Sequence, residues 1–262
     1  MCWPFSGQAE LAAAARAFLA EGLDREERVA YLAPGHVGDL QRDLDGLPGV
    51  GEHLVRGRLQ ITDIATLPAS DPATDPVDEL IELAAWTKEA LDAGYTGLRL
   101  MANGSGRVAE SPRLARFVRY EHLIDRFCLD HALTVLCAFD IADVGVATVA
   151  ELGCVHALMR RELLPFQLRA ASRPHLALAG SVDVFCVAQL VEALGRIGVA
   201  RPGARVVVDA VDLEFMDVRS LLALDRYAGG VPMTLVLRSP PSIVARLFGL
   251  VELGSLRVEP AK

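Results

Sequence analysis

The sequence predicts a two-domain α/β protein, and three observations predict it. The chain has 262 residues, 52% of them hydrophobic and 23% charged, which is enough material for more than one core. Short apolar runs recur without the apolar–polar alternation of a half-buried strand, so these strands are covered on both faces. Between them lie segments with helical spacing, the arrangement of a parallel sheet wrapped by helices.

Taken in order, Gln8 to Gly22 is Ala-rich, and Leu11, Ala15, Phe18 and Leu19 share one helical face; Gly22 is a stop signal. Arg28–Ala33 reads as a buried strand ended by Pro34 and Gly35, followed by a short helix over 37–46 and a strand over Arg58–Asp63. Leu67 to Pro76 is a loop dense in turn formers, and it leads into a helix over 77–93 that stops at Gly94. A strand over Gly97–Ala102 follows, then a helix from Pro112, suited to a first helical position, to His131. Leu133–Asp140 is a continuous apolar strand, and 146–159 is again helical. Pro165 marks a change of register. Phe166–Ala170 and Leu176–Gly180 read as two strands joined by a turn at Ser172, Arg173 and Pro174. Helix 184–197, strand Arg205–Val211, helix 218–228, strand Pro232–Arg238, helix 240–248 and strand 255–259 complete a smaller second domain. The division is placed at 1–163 and 164–262.

Composition excludes several classes. No stretch approaches the ~20 uninterrupted apolar residues of a membrane span, and Met1 to Ser6 has no basic region or apolar run of a secretory signal. The five cysteines are an odd number without a CxxC pair, which argues against a disulfide framework or structural zinc and for a reducing cytoplasm. Net charge is −8; residues 1–171 hold 16 Lys/Arg against 25 Asp/Glu, and residues 172–262 hold 10 against 9. No basic face offers itself to a duplex, so a protein partner or a small ligand is expected in place of nucleic acid.

Catalytic signatures are missing. The turns Ala33-Pro34-Gly35-His36 and Asn103-Gly104-Ser105-Gly106 follow strands but lack the lysine of a phosphate loop. Gly104-Ser105-Gly106 has the wrong spacing for a nucleophile elbow, and the six His form no metal signature. No cofactor, metal or enzymatic activity is expected. The acidic residues of interest are Glu121, Asp125, Asp130 and Asp140. Glu121 and Asp125 are four apart on one helix, beside Tyr120; they line a ligand pocket, or form a solvated face, or the Glu pairs with Arg116 or Arg119. Asp140 ends a buried strand, where open α/β sheets place their ligands. Cys137 in that strand reads as a small buried hydrophobe, while Cys2 and Trp3 cover the pocket mouth or close the core. The ligand-pocket candidates are therefore Cys2, Trp3, Tyr120, Glu121, Cys137 and Asp140.

The C-terminal run from Leu176 to Asp183, the helix after it, and the run from Val206 to Asp217 before the next helix resemble a STAS domain, the fold of anti-sigma factor antagonists, over about residues 165–260. That resemblance implies docking to an anti-sigma factor or kinase through Asp217, Val218, Arg219 and Ser220. Family members carry Asp-Ser-Ser-Gly-Leu here and are phosphorylated on the first Ser. The aligned residue is Val218, which has no hydroxyl, so the usual phosphorylation switch is expected to be missing; Ser220 is the alternative acceptor. Asp217 keeps its place and is expected to cap the helix.

The first 160 residues are similar to the MEDS (methanogen/methylotroph sensory) domain. The matching runs are Cys2–Phe5, Phe18–Leu23, Glu27–Leu32, Gly94–Arg99, Arg119–Glu121 and Leu136–Asp140. This implies a RecA- or circadian-clock-like three-layer parallel sheet without a phosphate loop, and a sensory role for an unidentified small molecule. The family often has a His shortly before the position of Cys2, which implies a start that is truncated or misassigned. The fusion, with its Ala/Arg/Leu-rich composition, looks actinobacterial. The expectation is thus a cytoplasmic signalling protein, and its STAS edges and exposed apolar helices point to a homodimer. A degenerate nucleotide-binding protein and a pure interaction scaffold are the alternatives.

Overall fold

The computed structural model describes residues 1–67, 75–108, 111–156, 159, 164–171 and 176–260. The chain divides into two compact units, Met1–Val149 and Ala150–Lys262. The expected division at 163/164 falls next to residues 160–163, outside the described ones, as does the turn at Ser172, Arg173 and Pro174. No helix among the described residues is long and apolar enough to cross a membrane.

The first unit runs β1 (Cys2–Phe5), α1 (Gln8–Asp24), β2 (Arg28–Ala33), α2 (Val37–Asp43), α3 (Val50–Val55), β3 (Leu59–Asp63), α4 (Pro76–Asp92), β4 (Leu98–Asn103), α5 (Ser111–Asp130) and β5 (Leu133–Asp140). Its five strands are all parallel, in the order β1-β5-β4-β2-β3. The connections from β1 to β2 and on to β3 run one way across the sheet, and those to β4 and β5 run back. Right-handed crossovers then require α1, α2 and α3 on one face and α4 and α5 on the other. Accordingly α1 packs on α2, and α4 on α5.

The α1 face holds a large apolar core that includes Phe5, Leu11, Phe18, Leu19, Tyr31, Leu44, Leu59 and Met101. Its one buried cation among the described residues, Arg99, is paired. Arg99 on β4 donates from Nε to Glu27 at 2.5 Å and bridges to Glu21, and its guanidinium lies over the Phe18 ring. Gly22 lets α1 come this close. A Cβ there would stand 2.6 Å from Arg99 Cδ and 2.7 Å from Val29 Cγ1.

The chain leaves β5 through α6 (Ile141–Gly153), interrupted at Gly145, whose φ of 79° is not helical. The second unit then has β6 (Phe166–Ala170), β7 (Leu176–Val182), α7 (Val187–Arg196), β8 (Arg205–Asp209), β9 (Leu213–Met216), α8 (Val218–Gly230), β10 (Thr234–Arg238), α9 (Ser242–Phe248) and β11 (Leu256–Glu259). Its sheet is mixed, in the order β11-β10-β8-β7-β6, with β6 antiparallel to β7 and β9 parallel to β7. The register of β7 against β9 shifts between Gly180 and Ser181. Gly180 is required there: its φ is 85°, and a Cβ would lie 2.6 Å from the Pro165 carbonyl oxygen.

Several expectations shift. Cys2–Phe5 is a strand, so the first strand of the sheet is β1 and not Arg28–Ala33. Helix 37–46 ends at Asp43, and Val50–Val55 forms a helix that the sequence does not announce. The helix expected over 146–159 follows the break at Gly145 and ends at Gly153; a short helical piece from Ile141, where the Asp140 carboxylate accepts the Ala142 N–H, precedes it. The strand expected over Arg205–Val211 ends at Asp209, and a further strand, β9, follows at Leu213–Met216.

Candidate functional site

Alternate residues of parallel strands point to one face. The register aligns Leu32 with Ala102 and Ala102 with Cys137, and aligns Leu100 with Val135. All five side chains look toward α4 and α5 and form the floor of a cavity of about 60 Å³. Leu83 and Trp86 on α4, with Phe117 and Ile124 on α5, form its roof.

Besides Glu82, polar groups of the lining gather at two places in this largely apolar box. At the first, the Glu79 side chain, with no exposure, accepts from Arg107 at 2.5 Å and from Arg116. The Arg107 guanidinium lies 4.9 Å from the ring centroids of both Phe117 and Tyr120. Burial pushes the Glu79 carboxyl up against the pull of the two arginines. Burial also works against the charge of Arg107, but the carboxylate beside it prevails and holds its pKa above the ordinary value. Removing one partner of such a buried cluster strands the others, at a cost of roughly 3–5 kcal/mol. At the second place, Cys137 Sγ faces both oxygens of buried Glu121, at 2.9 and 3.2 Å. Burial and then the carboxylate push the Cys137 thiol well up, which keeps it protonated and donating. Tyr120 is likewise raised, first by burial.

Of the residues singled out from the sequence, Tyr120, Glu121 and Cys137 line the cavity. Cys2 is the register partner of Cys137 on β1, one strand further out. Trp3 points to the opposite face and packs on the α1-side core. Asp140 accepts from Ala142, and its own N–H donates to Ser105 Oγ; neither contact faces the cavity lining. Arg116 pairs with Glu79. Glu79 and Arg107 were not legible as site residues: 28 positions apart, each reads in the sequence as an ordinary surface charge. The Gly-rich turn after β4 is spent on itself, with Asn103 Oδ1 accepting from both the N–H and the hydroxyl of Ser105.

Residues 1–157 match the family model described as MEDS: MEthanogen/methylotroph, DcmR Sensory domain. The chain belongs to the MEDS family. No curated protein matches it. The match covers β1 through β5, so the whole cavity lies inside the MEDS region.

Outside that region, the start of α8 carries the residues expected to dock a partner. Asp217 caps the helix, its carboxylate accepting from Ser220 N at 2.7 Å and from Val184 N at 3.1 Å. Burial works against the ionised form, but the Ser220 side chain together with these N–H bonds outweighs it and holds the carboxyl below its ordinary pKa. Ser220 is fully buried, and its hydroxyl donates to the Val182 carbonyl. Around this cap stand apolar side chains that the sequence did not single out: Val184, Phe215 and Phe185, the last 91% exposed.

Proposed function

We propose that the chain is a cytoplasmic, non-enzymatic signalling protein. Its MEDS unit takes a small, largely apolar molecule in the cavity beneath α4 and α5. Its second unit, read as a STAS domain, docks a regulatory protein such as an anti-sigma factor. The cavity carries the sensory half of this reading. Its walls are mostly aliphatic and aromatic, Glu79 is paired with Arg107 and Glu121 with Cys137, and its size suits a molecule of a few non-hydrogen atoms.

The docking half rests on the resemblance of residues 165–260 and on the exposed Val184, Phe185 and Phe215 beside Asp217. Val218 offers no hydroxyl and Ser220 is buried, so partner release does not run through phosphorylation of either position. Nucleotide binding is disfavoured by the chemistry of the strand ends. Glu10 accepts the Ser6 N–H at the start of α1, and Asp63 accepts from Gly35 and Ala65, so carboxylates hold amides that a phosphate would need.

The test has two arms on the full chain. Xenon, an apolar probe for such cavities, is titrated against wild type and Leu100→Phe by ¹²⁹Xe NMR. A saturable shift in wild type that is lost in the filled variant supports the cavity, and no difference between them overturns it. Wild type and Val218→Asp are then used to recover partners identified by mass spectrometry. Loss of an anti-sigma factor in the variant supports the docking surface, and recovery of no such regulator by wild type removes it.

A further inference from the structure

Tyr120 lines the inner cavity from α5. Its ring is fixed by two neighbours that line the same cavity: the Arg107 guanidinium lies 4.9 Å from its centroid, and the Phe117 ring packs against it at 5.9 Å. A tyrosine in such a place ordinarily gives its hydroxyl to a partner, because a hydrogen bond left unmade away from water is costly. The Tyr120 hydroxyl makes none among the described residues. Tyr227 also lacks a partner, but its oxygen is sealed off; Tyr120 is only half-buried, and its oxygen keeps accessible surface.

The phenol oxygen stands among the polar groups of the lining. Burial raises its pKa most; Arg107 pulls the other way, and the carboxylates of Glu79 and Glu121 then add to the rise. Glu79 belongs to one of the two polar places and Glu121 to the other, so the hydroxyl is within electrostatic reach of both. A phenol that keeps its proton is a hydrogen-bond donor.

Charge limits what it can donate to. An anionic head would meet the carboxylates of Glu79 and Glu121, and Glu82 also lines the cavity. A cationic head would meet Arg107, which lies over the Tyr120 ring. Both buried carboxylates already accept hydrogen bonds, Glu79 from Arg107 and Glu121 from Cys137. What fits is a neutral oxygen acceptor on a body small and apolar enough for the aliphatic and aromatic walls.

We propose that Tyr120 is the polar recognition point of the inner cavity, its hydroxyl donating to a neutral oxygen of the ketone, ether or alcohol type carried by a small apolar ligand. The assignment rests on the reading of that cavity as the sensory site and names the chemical class of its ligand.

The test uses the full chain, xenon as the reporter of the cavity, and two competitors of the same shape. Acetone and 2-methylpropene differ only in carrying a carbonyl oxygen or a methylene group. Each is titrated against bound xenon by ¹²⁹Xe NMR in wild type and in Tyr120→Phe. Both should displace xenon from wild type. In Tyr120→Phe acetone should bind about fivefold more weakly, the loss of one neutral hydrogen bond, while 2-methylpropene changes by less than about twofold. Because the hydroxyl has no partner inside the fold, ligand-free Tyr120→Phe should unfold thermally at the wild-type midpoint or above it. Acetone affinity that ignores Tyr120→Phe, an equal loss for both competitors, failure of acetone to displace xenon, or a lowered midpoint in the ligand-free variant would each overturn the assignment. In all four cases saturable xenon binding leaves the cavity reading standing. Absence of such binding in wild type would remove the cavity reading, and Tyr120 with it.

Discussion

Asp217 shows how much of one residue's role follows from its neighbours. In the sequence it precedes a helical segment, and an acidic side chain there is a strong N-cap. In the fold one carboxylate oxygen serves Ser220 N and the other serves Val184 N, tying the start of α8 to the segment after β7. Because both bonds favour the ionised form, the folded-state pKa lies below the unfolded one. Its contribution is therefore fully present above the unfolded value of about 3.9 and is lost as pH falls through the lower folded value. Asp217→Ala should cost about 1 kcal/mol at pH 7. Urea midpoints measured from pH 7 down to pH 3 should show the gap between variant and wild type narrowing once the pH passes below about 4. A gap that is the same at every pH would mean that the charge does not matter.

At the scale of elements, legibility followed physical strength. Strands buried on both faces, such as Leu133–Asp140, announce themselves as apolar runs, and helices such as Gln8–Asp24 by spacing. β1 does not, because four residues with a Pro in second-to-last place make a weak strand signal. Its position at the sheet edge is what makes that Pro tolerable. β9 is lost within the run after β8 because its place is set by pairing with β7, a contact distant in sequence. The roof of the cavity was half visible. Tyr120 and Glu121 stood out on α5, whereas Glu79 on α4 needed two arginines from elsewhere to become a buried anion. By sequence Gly22 is only a stop signal, yet α1 continues to Asp24 and the glycine is there for close approach. A Gly→Ala change inside a helix ordinarily gains up to about 1 kcal/mol. Here the sign should reverse: the methyl group must displace Arg99 from its pairing with Glu27 or push α1 away from Val29. Thermal unfolding of Gly22→Ala should show a lower midpoint than wild type, and a raised midpoint would mean that α1 sits further from the sheet.

For the molecule as a whole, the cysteines join the sequence to its redox chemistry. An odd count without CxxC spacing predicts thiols rather than bridges, and no disulfide joins any of the five in the fold. Cys2, Cys137, Cys154 and Cys186 are buried, and Cys128 is half-buried. Burial pushes Cys128 and Cys154 up to about 12 and raises Cys137 and Cys186 as well. The thiolate is the reactive species, so these groups are held in their inert form at neutral pH by the same packing that builds the two cores. A thiol-specific disulfide reagent at pH 8 should find almost no fast-reacting group in the native chain and all five after unfolding in urea. Opening to solvent on the reagent's timescale would make the thiols of one unit appear ahead of those of the other. Cys2, Cys128 and Cys137 report on the sheet of the first unit, and Cys154 and Cys186 on the second. Rapid modification of Cys137 in the native state would contradict the enclosed pairing with Glu121 on which the cavity depends.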